Sequence, residues 1–133
     1  MAWPSIIPYI RYEDPSAMLT WLEDAFGFKR HAAYEEGDTV VHAEVVYGNG
    51  MFMVGPAREG DEPGAAKTPN QLDGQATGGM YVVVDDPDAH CAEARAAGAE
   101  IVRELTEQDY GSREYAARDP EGHVWTFGTY RPK

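Results

Sequence analysis

The sequence predicts an α+β fold in which two βαβββ modules form a single domain. The first observation is a repeat: Asp14-Pro15 recurs 72 residues later as Asp86-Pro87, and Gly50 recurs as Gly122. The second is that each Asp-Pro pair follows one strand pattern and precedes a helix and three further strand patterns. The third is that a βαβββ unit leaves one face of its sheet uncovered, so two units must pair, within one chain or between chains.

The bulk properties restrict the class of protein. A length of 133 residues suits one domain, which we divide into modules over residues 1–57 and 78–133 and a linker over 58–77. The formal net charge of −12 argues against nucleic acid and anionic membrane surfaces as partners, because both require Lys and Arg. No apolar run is long enough to span a bilayer.

The single cysteine and the N-terminus favour a cytoplasmic location. Cys91 excludes an internal disulfide and suits a reducing compartment, where we expect it to be a small core residue. Residues 1–5 lack the basic region and apolar segment of a signal peptide.

The first module begins with a strand over residues 6–12, rich in Ile and Tyr. Asp14 is a good N-cap and Pro15 suits the first helical position, so a helix follows and ends before Gly27. Strands over residues 28–36 and 39–47 are joined by a hairpin turn at Gly37-Asp38. A second turn, at residues 48–50, leads to the strand over 51–54.

The second module repeats this order. We predict strands over residues 80–84, 99–106, 111–118 and 124–127, with a helix that starts at Asp86-Pro87 and runs to residue 97. The Pro- and Gly-rich segment between the modules has little to bury, so we predict a linker or a loop ordered only by a partner or ligand.

The motifs resemble one known superfamily. The segments that carry the resemblance are Tyr110-Gly111-Ser112-Arg113-Glu114-Tyr115, Asp119-Pro120-Glu121-Gly122-His123-Val124-Trp125, Pro8-Tyr9 and His42-Ala43-Glu44. They resemble the vicinal oxygen chelate superfamily of glyoxalase I, bleomycin-resistance proteins, fosfomycin-resistance enzymes and extradiol dioxygenases. The first half is similar to the PhnB-type branch. The resemblance implies a cupped mixed sheet over a cavity and a homodimer, with modules paired within one chain or across the dimer axis.

The family's four metal-ligand positions, carried over by the resemblance, fall on Ile7, Val54, Gly79 and Thr126. Divalent metals need His, carboxylate or Cys at such places, and only Thr126 offers an oxygen. We therefore expect no metal and no other cofactor.

Alternation along the strands selects the residues that face the cup. If Thr126 points inward, Trp125 faces the helices and belongs to the core. An inward Ile7 brings Tyr9 and Arg11 with it, and Tyr81 is the repeat partner of Tyr9. The two tyrosines contact a ligand or pack at the seam between modules.

Arginines supply two further candidate ligand contacts. Arg11 either pairs with a carboxylate or holds an anionic group of a substrate. Arg113 is a second candidate, and Val54 and Thr126 complete the predicted ligand-binding set.

His42, Glu44 and Glu114 are candidate catalytic residues. His42 and Glu44 share a strand face, and His42 is the repeat partner of Glu114. The three side chains could perform acid–base chemistry, bind a metal at a non-standard position, or form a hydrogen-bonded network that positions Arg11 or Arg113.

Two other histidines have structural interpretations. We expect His123 to lie at the rim and bond the turn backbone, with a role as ligand contact or base as the alternative. His90 is expected on the surface of the second helix.

Two functions fit these observations. The first is a binding protein that holds a planar or cationic small molecule in an aromatic-lined cavity, without the family metal site. The alternative is a lyase or isomerase that uses His42, Glu44 or Glu114 as acid or base. The sequence leaves open whether the protein is an enzyme, and the fold itself hosts many chemistries.

Overall fold

A computed structural model describes residues 3–60 and 63–133. It contains eight strands, two α-helices and a short 3₁₀ helix. Within these ranges, neither α-helix is both long and apolar enough to cross a lipid bilayer. The elements are β1 (Tyr9–Tyr12), α1 (Pro15–Phe26), β2 (Lys29–Glu36), β3 (Thr39–Tyr47), β4 (Gly50–Pro56), the 3₁₀ helix (Pro69–Leu72), β5 (Met80–Val83), α2 (Pro87–Ala96), β6 (Glu100–Glu107), β7 (Arg113–Arg118) and β8 (Val124–Gly128).

The strands form two four-stranded mixed sheets with the same topology. The order is β1-β4-β3-β2 in the first sheet and β5-β8-β7-β6 in the second. The first strand of each module pairs in parallel with the last, and the remaining pairs are antiparallel. The predicted α+β fold of two βαβββ modules is confirmed.

Both α-helices begin as the repeat predicts. The side chain of Asp14 accepts a hydrogen bond from the backbone N–H of Ala17, and Asp86 does the same for Ala89. Gly27 ends α1 with a φ of 76°, which a residue with a side chain rarely adopts.

The two modules share one hydrophobic core. Phe26 and Phe28 of the first module lie 5.8 and 5.3 Å, between ring centroids, from Trp125 of the second. Phe127 lies 4.7 Å from Phe26, and α1 contacts α2. The helix-covered faces of the two sheets therefore pack together inside the chain, and their uncovered faces, here called the open faces, point away from this core.

The hairpins that end the two modules differ in length. Val46 pairs with Met51 across the first hairpin, whereas Arg118 pairs with Val124 across the second, which is one residue longer. A constant offset of 72 residues therefore fails in the last strand. The residue that corresponds to Thr126 is Met53.

This extra residue corrects the predicted position of Val54. Side chains alternate between the faces of a strand, so a shift of one residue reverses the face. Val54 is 0% exposed and lies in the shared core, whereas Met53 is half-buried and pairs with Tyr9 on the open face. Trp125 lies in the core as predicted, and so does Phe127.

The longer second hairpin joins the two modules through Asp119. Its buried carboxylate accepts hydrogen bonds from the Tyr12 hydroxyl, at 2.6 Å, and from the Trp125 indole, at 3.1 Å. It also accepts the backbone N–H groups of Glu121 and His123. One side chain thus fixes both the turn and the end of β1.

Two neighbours of Asp119 strengthen this connection, here called the hairpin clamp. The carboxylate of Glu121 accepts the backbone N–H groups of Glu13 and Asp14, at the start of α1. The His123 Nε2–H donates to the backbone oxygen of Arg11 at 2.8 Å. His123 was expected to bond the turn backbone, but it bonds the first strand of the other module.

The segment between the modules has local structure that its composition did not predict. Thr68 is buried and caps the 3₁₀ helix through a reciprocal hydrogen-bond pair with Gln71. Asn70 donates to the carboxylate of Glu13. Two members of the predicted linker, residues 61 and 62, lie outside the described residues, as do residues 1 and 2.

His90 is half-buried, not exposed as the sequence analysis predicted. Its Nε2–H donates to the Phe26 carbonyl at 2.8 Å, and its Nδ1 accepts from the Tyr115 hydroxyl at 2.5 Å. Burial lowers the pKa of this imidazole below its usual value. Cys91 is buried, as predicted.

Candidate functional site

The open face of the second module is organised around Tyr81 and Gly128. Tyr81 pairs with Thr126 across β5 and β8, which places both side chains on the open face. A methyl group added at Gly128 would lie 2.4 Å from the Tyr81 hydroxyl oxygen. The absence of a side chain at Gly128 therefore allows the tyrosine to lie across β8.

Glu114 is the buried carboxylate of this face. It is 2% exposed and accepts hydrogen bonds from the hydroxyl groups of Tyr81 and Tyr110, both at 2.7 Å, and of Ser112 at 3.0 Å. The Arg103 guanidinium lies 3.4 Å from Oε1 of Glu114, the carboxylate oxygen that also accepts from Tyr110.

These partners keep Glu114 ionised. Burial alone would raise the pKa of this carboxyl, but the hydrogen bonds from Tyr81, Tyr110 and Ser112 and the charge of Arg103 outweigh burial and lower it. The hydrogen bond to Glu114 in turn raises the pKa of Tyr110 to about 12. At neutral pH the face therefore presents a negative charge held by neutral phenols.

Three tyrosines form a wall beside this carboxylate. The rings of Tyr110 and Tyr130 meet edge to face at 5.6 Å, and those of Tyr81 and Tyr130 at 6.4 Å. All three are exposed. With Val83 and Pro132 they line an open cavity of about 780 Å³ that Glu114 also borders.

Sequence reasoning missed Tyr110, Tyr130 and Arg103 as members of this site. Tyr110 begins the motif that runs to Tyr115, but it precedes β7, so strand alternation assigns it to neither face of the sheet. Tyr130 follows the last predicted strand. The β6–β7 pairing is irregular near Arg103, which obscures the pattern of faces.

The open face of the first module repeats the tyrosine arrangement. Tyr9 pairs with Met53, and its hydroxyl oxygen would lie 2.0 Å from a methyl group added at Gly55. In contrast to Tyr81, Tyr9 has a hydroxyl that makes no hydrogen bond within residues 3–60 and 63–133.

Arg11 lies beside Tyr9 and is buried. Its side chain is 9% exposed, donates from Nη1 to the Pro56 carbonyl at 2.9 Å, and lies 5.2 Å from the centre of the Tyr9 ring. The buried Nε–H has no hydrogen-bond partner among residues 3–60 and 63–133. Within the described part of the chain no carboxylate pairs with Arg11, so the ion pair expected as one alternative does not form there.

His42 and Glu44 form a pair of their own. Their side chains approach to 3.4 Å between Nε2 and Oε2, and Tyr34 lies 5.8 Å from the His42 ring. Both belong to β3 of the first sheet, whereas Glu114 belongs to β7 of the second. The structure thus brings two of the three candidate acid–base residues together, and Glu114 has a separate set of partners.

Arg113 is held by acidic residues of its own module. It forms a two-pronged ion pair with Asp88 of α2, at 2.8 and 2.9 Å, and lies 3.4 Å from Glu107. The hydrogen bond from Arg113 is the main cause of the lowered pKa of Asp88. Neither His42, Glu44 nor Glu114 positions this arginine.

The family's metal does not fit the residues at its positions. The corrected register moves one of the four family positions from Val54 to Met53. The four positions therefore hold Ile7, Met53, Gly79 and Thr126, which provide one thioether and one hydroxyl. Divalent cations in this setting require imidazole, carboxylate or thiolate donors. No group of three or more such side chains is close enough to hold a metal ion in the residues that the structure describes.

Comparison with known proteins identifies related folds. Residues 6–127 match the family model of the Glyoxalase/Bleomycin resistance protein/Dioxygenase superfamily. The crystal structure of TioX from Micromonospora sp. ML1 superimposes with a TM-score of 0.76 at 29% identity and covers 98% of each chain. The fosfomycin resistance protein FosX from Mesorhizobium loti shares the fold, with a TM-score of 0.64 at 14% identity, over 98% of this chain and 95% of that one. The uncharacterized protein Mb0911c of Mycobacterium bovis is 26% identical over 94% of this chain and 82% of its own length.

Proposed function

The chain belongs to the Glyoxalase/Bleomycin resistance protein/Dioxygenase superfamily, and we propose that it binds a small planar cation without a metal at the family's positions. The molecule lies against the wall of Tyr81, Tyr110 and Tyr130, with its positive charge directed at Glu114. The observation that carries this proposal is a buried, ionised carboxylate bordered by three exposed aromatic rings. The PhnB-type branch of the superfamily stays a prediction.

The chemistry of the tyrosine wall supports a cationic ligand. The faces of aromatic rings attract cations, and this attraction strengthens where water is excluded. Glu114 adds a negative charge that its hydrogen-bond donors hold in place and that Arg103, at 3.4 Å, offsets in part. The net charge of −12 also raises the local concentration of cations near the whole protein.

The dimensions of the cavity support a planar organic molecule. Its volume of about 780 Å³ lies within the range of roughly 300 to 1,000 Å³ that is common for small-molecule sites. Val83 and Pro132 supply apolar surface beside the rings. A flat aromatic body with one positive group satisfies both the apolar wall and the carboxylate.

Calorimetric titration with 2-naphthylmethylammonium tests the proposal. We expect saturable binding, and a loss of about tenfold or more in affinity in Glu114→Gln, because a charge-assisted contact is removed. Glu23→Gln, which removes a half-buried carboxylate on α1 that pairs with Arg30, is the charge-matched control and should bind as the parent does. Equal affinity in Glu114→Gln, or no saturable binding to the parent, would contradict the proposal.

A homodimer is the second part of the proposal. The open faces point away from each other within the chain, so a cup with two walls needs a second copy to supply the opposite wall. Sedimentation equilibrium measures this directly, and we expect twice the chain mass of 14.7 kDa. A monomeric mass at micromolar concentrations would contradict the homodimer. The cation would then bind to the tyrosine wall of one chain alone.

A second candidate function is acid–base catalysis at His42, in a lyase or isomerase. The contact between His42 and Glu44 supports it, because a carboxylate that orients an imidazole is a common arrangement for a general base. Loss of turnover in His42→Ala, with cation binding retained, would favour this function. Unchanged turnover in that variant would remove His42 as the catalyst.

A further inference from the structure

A second cavity, separate from the tyrosine wall, lies between β1, the start of β8 and the segment that joins the modules. Its volume is about 510 Å³. We call it the Arg11 cavity, and the residues that define its chemistry are Tyr9, Arg11, Lys67, Met80, His123 and Trp125.

The charge around the Arg11 cavity is opposite to that of the protein as a whole. The chain has 23 acidic and 11 basic side chains, yet none of the described residues that line this cavity is acidic. Arg11 is the buried charged side chain of this lining. A buried arginine with no carboxylate among the described lining residues attracts anions, even in a protein of net negative charge.

The buried guanidinium of Arg11 points most directly to an anion site. Burial of a charged group is unfavourable unless another charge or a full set of hydrogen bonds compensates it. The guanidinium has five N–H groups, and its single hydrogen bond within the described residues goes to Pro56. The neighbouring Tyr9 ring compensates only part of the charge. An arginine that is 91% buried without a carboxylate therefore has donors left for an external anion.

Most of the remaining lining is apolar, although Gln75 and Thr77 add polar groups. Ile10, Leu72 and Val124 contribute to the walls together with Met80 and Trp125. Inorganic anions gain nothing from such surroundings, whereas an organic acid buries its apolar body there. Carboxylates also match the planar, two-pronged geometry of a guanidinium.

We propose that the Arg11 cavity binds the carboxylate of a small aromatic acid, with Arg11 as the partner of the charged group. The aromatic part lies against the apolar residues of β1, β5 and β8. This site is independent of the cation site at Glu114, which lies on the open face of the other sheet. The protein thus has two sites of opposite charge preference.

The test uses 2-naphthoate, which matches the naphthyl group of the cationic probe and differs in charge. We expect the parent protein to bind it, and Arg11→Gln to lose about tenfold or more in affinity. Arg30→Gln removes an exposed arginine that pairs with Glu23, and it should leave binding unchanged. Absence of saturable binding, or equal binding by Arg11→Gln, would overturn the proposal.

Two further measurements keep the test decisive. Arg11→Gln retains a donor for Pro56 and removes an uncompensated charge, so its unfolding midpoint without ligand should equal or exceed that of the parent. An arginine with only a structural role would lower the midpoint. In the parent, 2-naphthoate should shift the amide resonances of Arg11, Gly79 and Met80, and shifts confined to the region around Glu114 would overturn the assignment.

The two proposals fail separately. Glu114→Gln should bind 2-naphthoate with the affinity of the parent, and Arg11→Gln should bind 2-naphthylmethylammonium with the affinity of the parent. If both variants lose both probes, the two sites are one, and the Arg11 cavity is not a distinct anion site.

Discussion

The two modules use the same backbone device and surround it with different chemistry. In each, a tyrosine of the first strand lies across a glycine of the last, as Tyr9 does over Gly55 and Tyr81 over Gly128. The Tyr81 hydroxyl donates to Glu114, but the corresponding residue of the first module is His42, and the Tyr9 hydroxyl has no partner in the described residues. The steric requirement is repeated, whereas the charge beside it is not.

A second difference concerns the hairpins. The first is a tight turn that makes no bond to the second module within residues 3–60 and 63–133, whereas the second is one residue longer and contains Asp119. One inserted residue thus changes both the register of a strand and the way in which two similar units are joined.

The largest change in stability is expected at Val54 and Met53, because the corrected register places these neighbours on opposite faces of β4. Val54→Glu places a carboxylate in the shared core and should cost about 4 kcal/mol in the free energy of unfolding, a large fraction of the stability of a typical domain. Met53→Glu, on the open face, should cost no more than about 1 kcal/mol. Denaturant unfolding measures both. If Met53→Glu is the more damaging, the assignment of faces is wrong.

The hairpin clamp predicts the next largest effect. Asp119→Ala leaves the Tyr12 hydroxyl and the Trp125 indole without an acceptor in the core, and should lower the free energy of unfolding by about 3 kcal/mol. Asn49→Ala in the first hairpin is the matched control, with an expected change within about 0.5 kcal/mol. Equal losses in a urea titration would show that the two hairpins contribute alike.

The tyrosine–glycine device predicts a smaller, asymmetric effect. Gly128→Ala should cost about 2 kcal/mol, because the new methyl group meets Tyr81 and the buried Glu114 together. Gly55→Ala should cost about 0.5 kcal/mol, because the exposed end of Tyr9 has room to move. Thermal unfolding of the two variants gives the comparison, and a greater loss in Gly55→Ala would contradict it.

The smallest expected effect is a pH dependence that arises from His90 in the second module. Its folded pKa is lowered, so the folded protein favours the neutral ring and the unfolded chain takes up a proton first as pH falls. The stabilisation that neutral His90 contributes is therefore complete above about pH 6.5, the usual pKa of a histidine. It declines as pH falls through that value toward the folded pKa.

The matched variant is His90→Gln, which keeps polar groups near Phe26 and Tyr115 but cannot titrate. We expect the unfolding midpoint of the parent to fall more between pH 7.5 and pH 5 than that of His90→Gln. Parallel curves for the two proteins would mean that His90 protonates equally in the folded and unfolded states.

Much of the fold followed from local chemistry that the sequence displays directly. Asp14 and Asp86 start helices because their side chains cap a backbone N–H three residues later, and this signal needs no knowledge of distant contacts. Trp125 was assigned correctly to the core because strand alternation holds around it. The interpretation of Val54 failed because it depended on counting through a turn of unequal length.

Other parts of the site depend on distant contacts that local patterns do not contain. His90 resembles a surface residue of α2 until α1 brings the Phe26 carbonyl to it. Tyr130 lies beyond the last strand and joins the wall only because the chain returns to Tyr81. Among the described residues, the lack of a carboxylate partner for Arg11 is likewise a property of the assembled core, since the carboxylates of Glu13 and Asp14 accept from Asn70 and Ala17 instead.

The hairpin clamp has a consequence for how the protein unfolds. The amide hydrogens of Glu13 and Asp14 belong to the first module, but the carboxylate that holds them, on Glu121, belongs to the second. Opening of the second hairpin therefore releases amides of the first module as well. Both residues are exposed, so the two amides should exchange with deuterated solvent more slowly than exposed amides without a partner but faster than the interior of β8, and their exchange rate reports how tightly the duplicated halves are coupled.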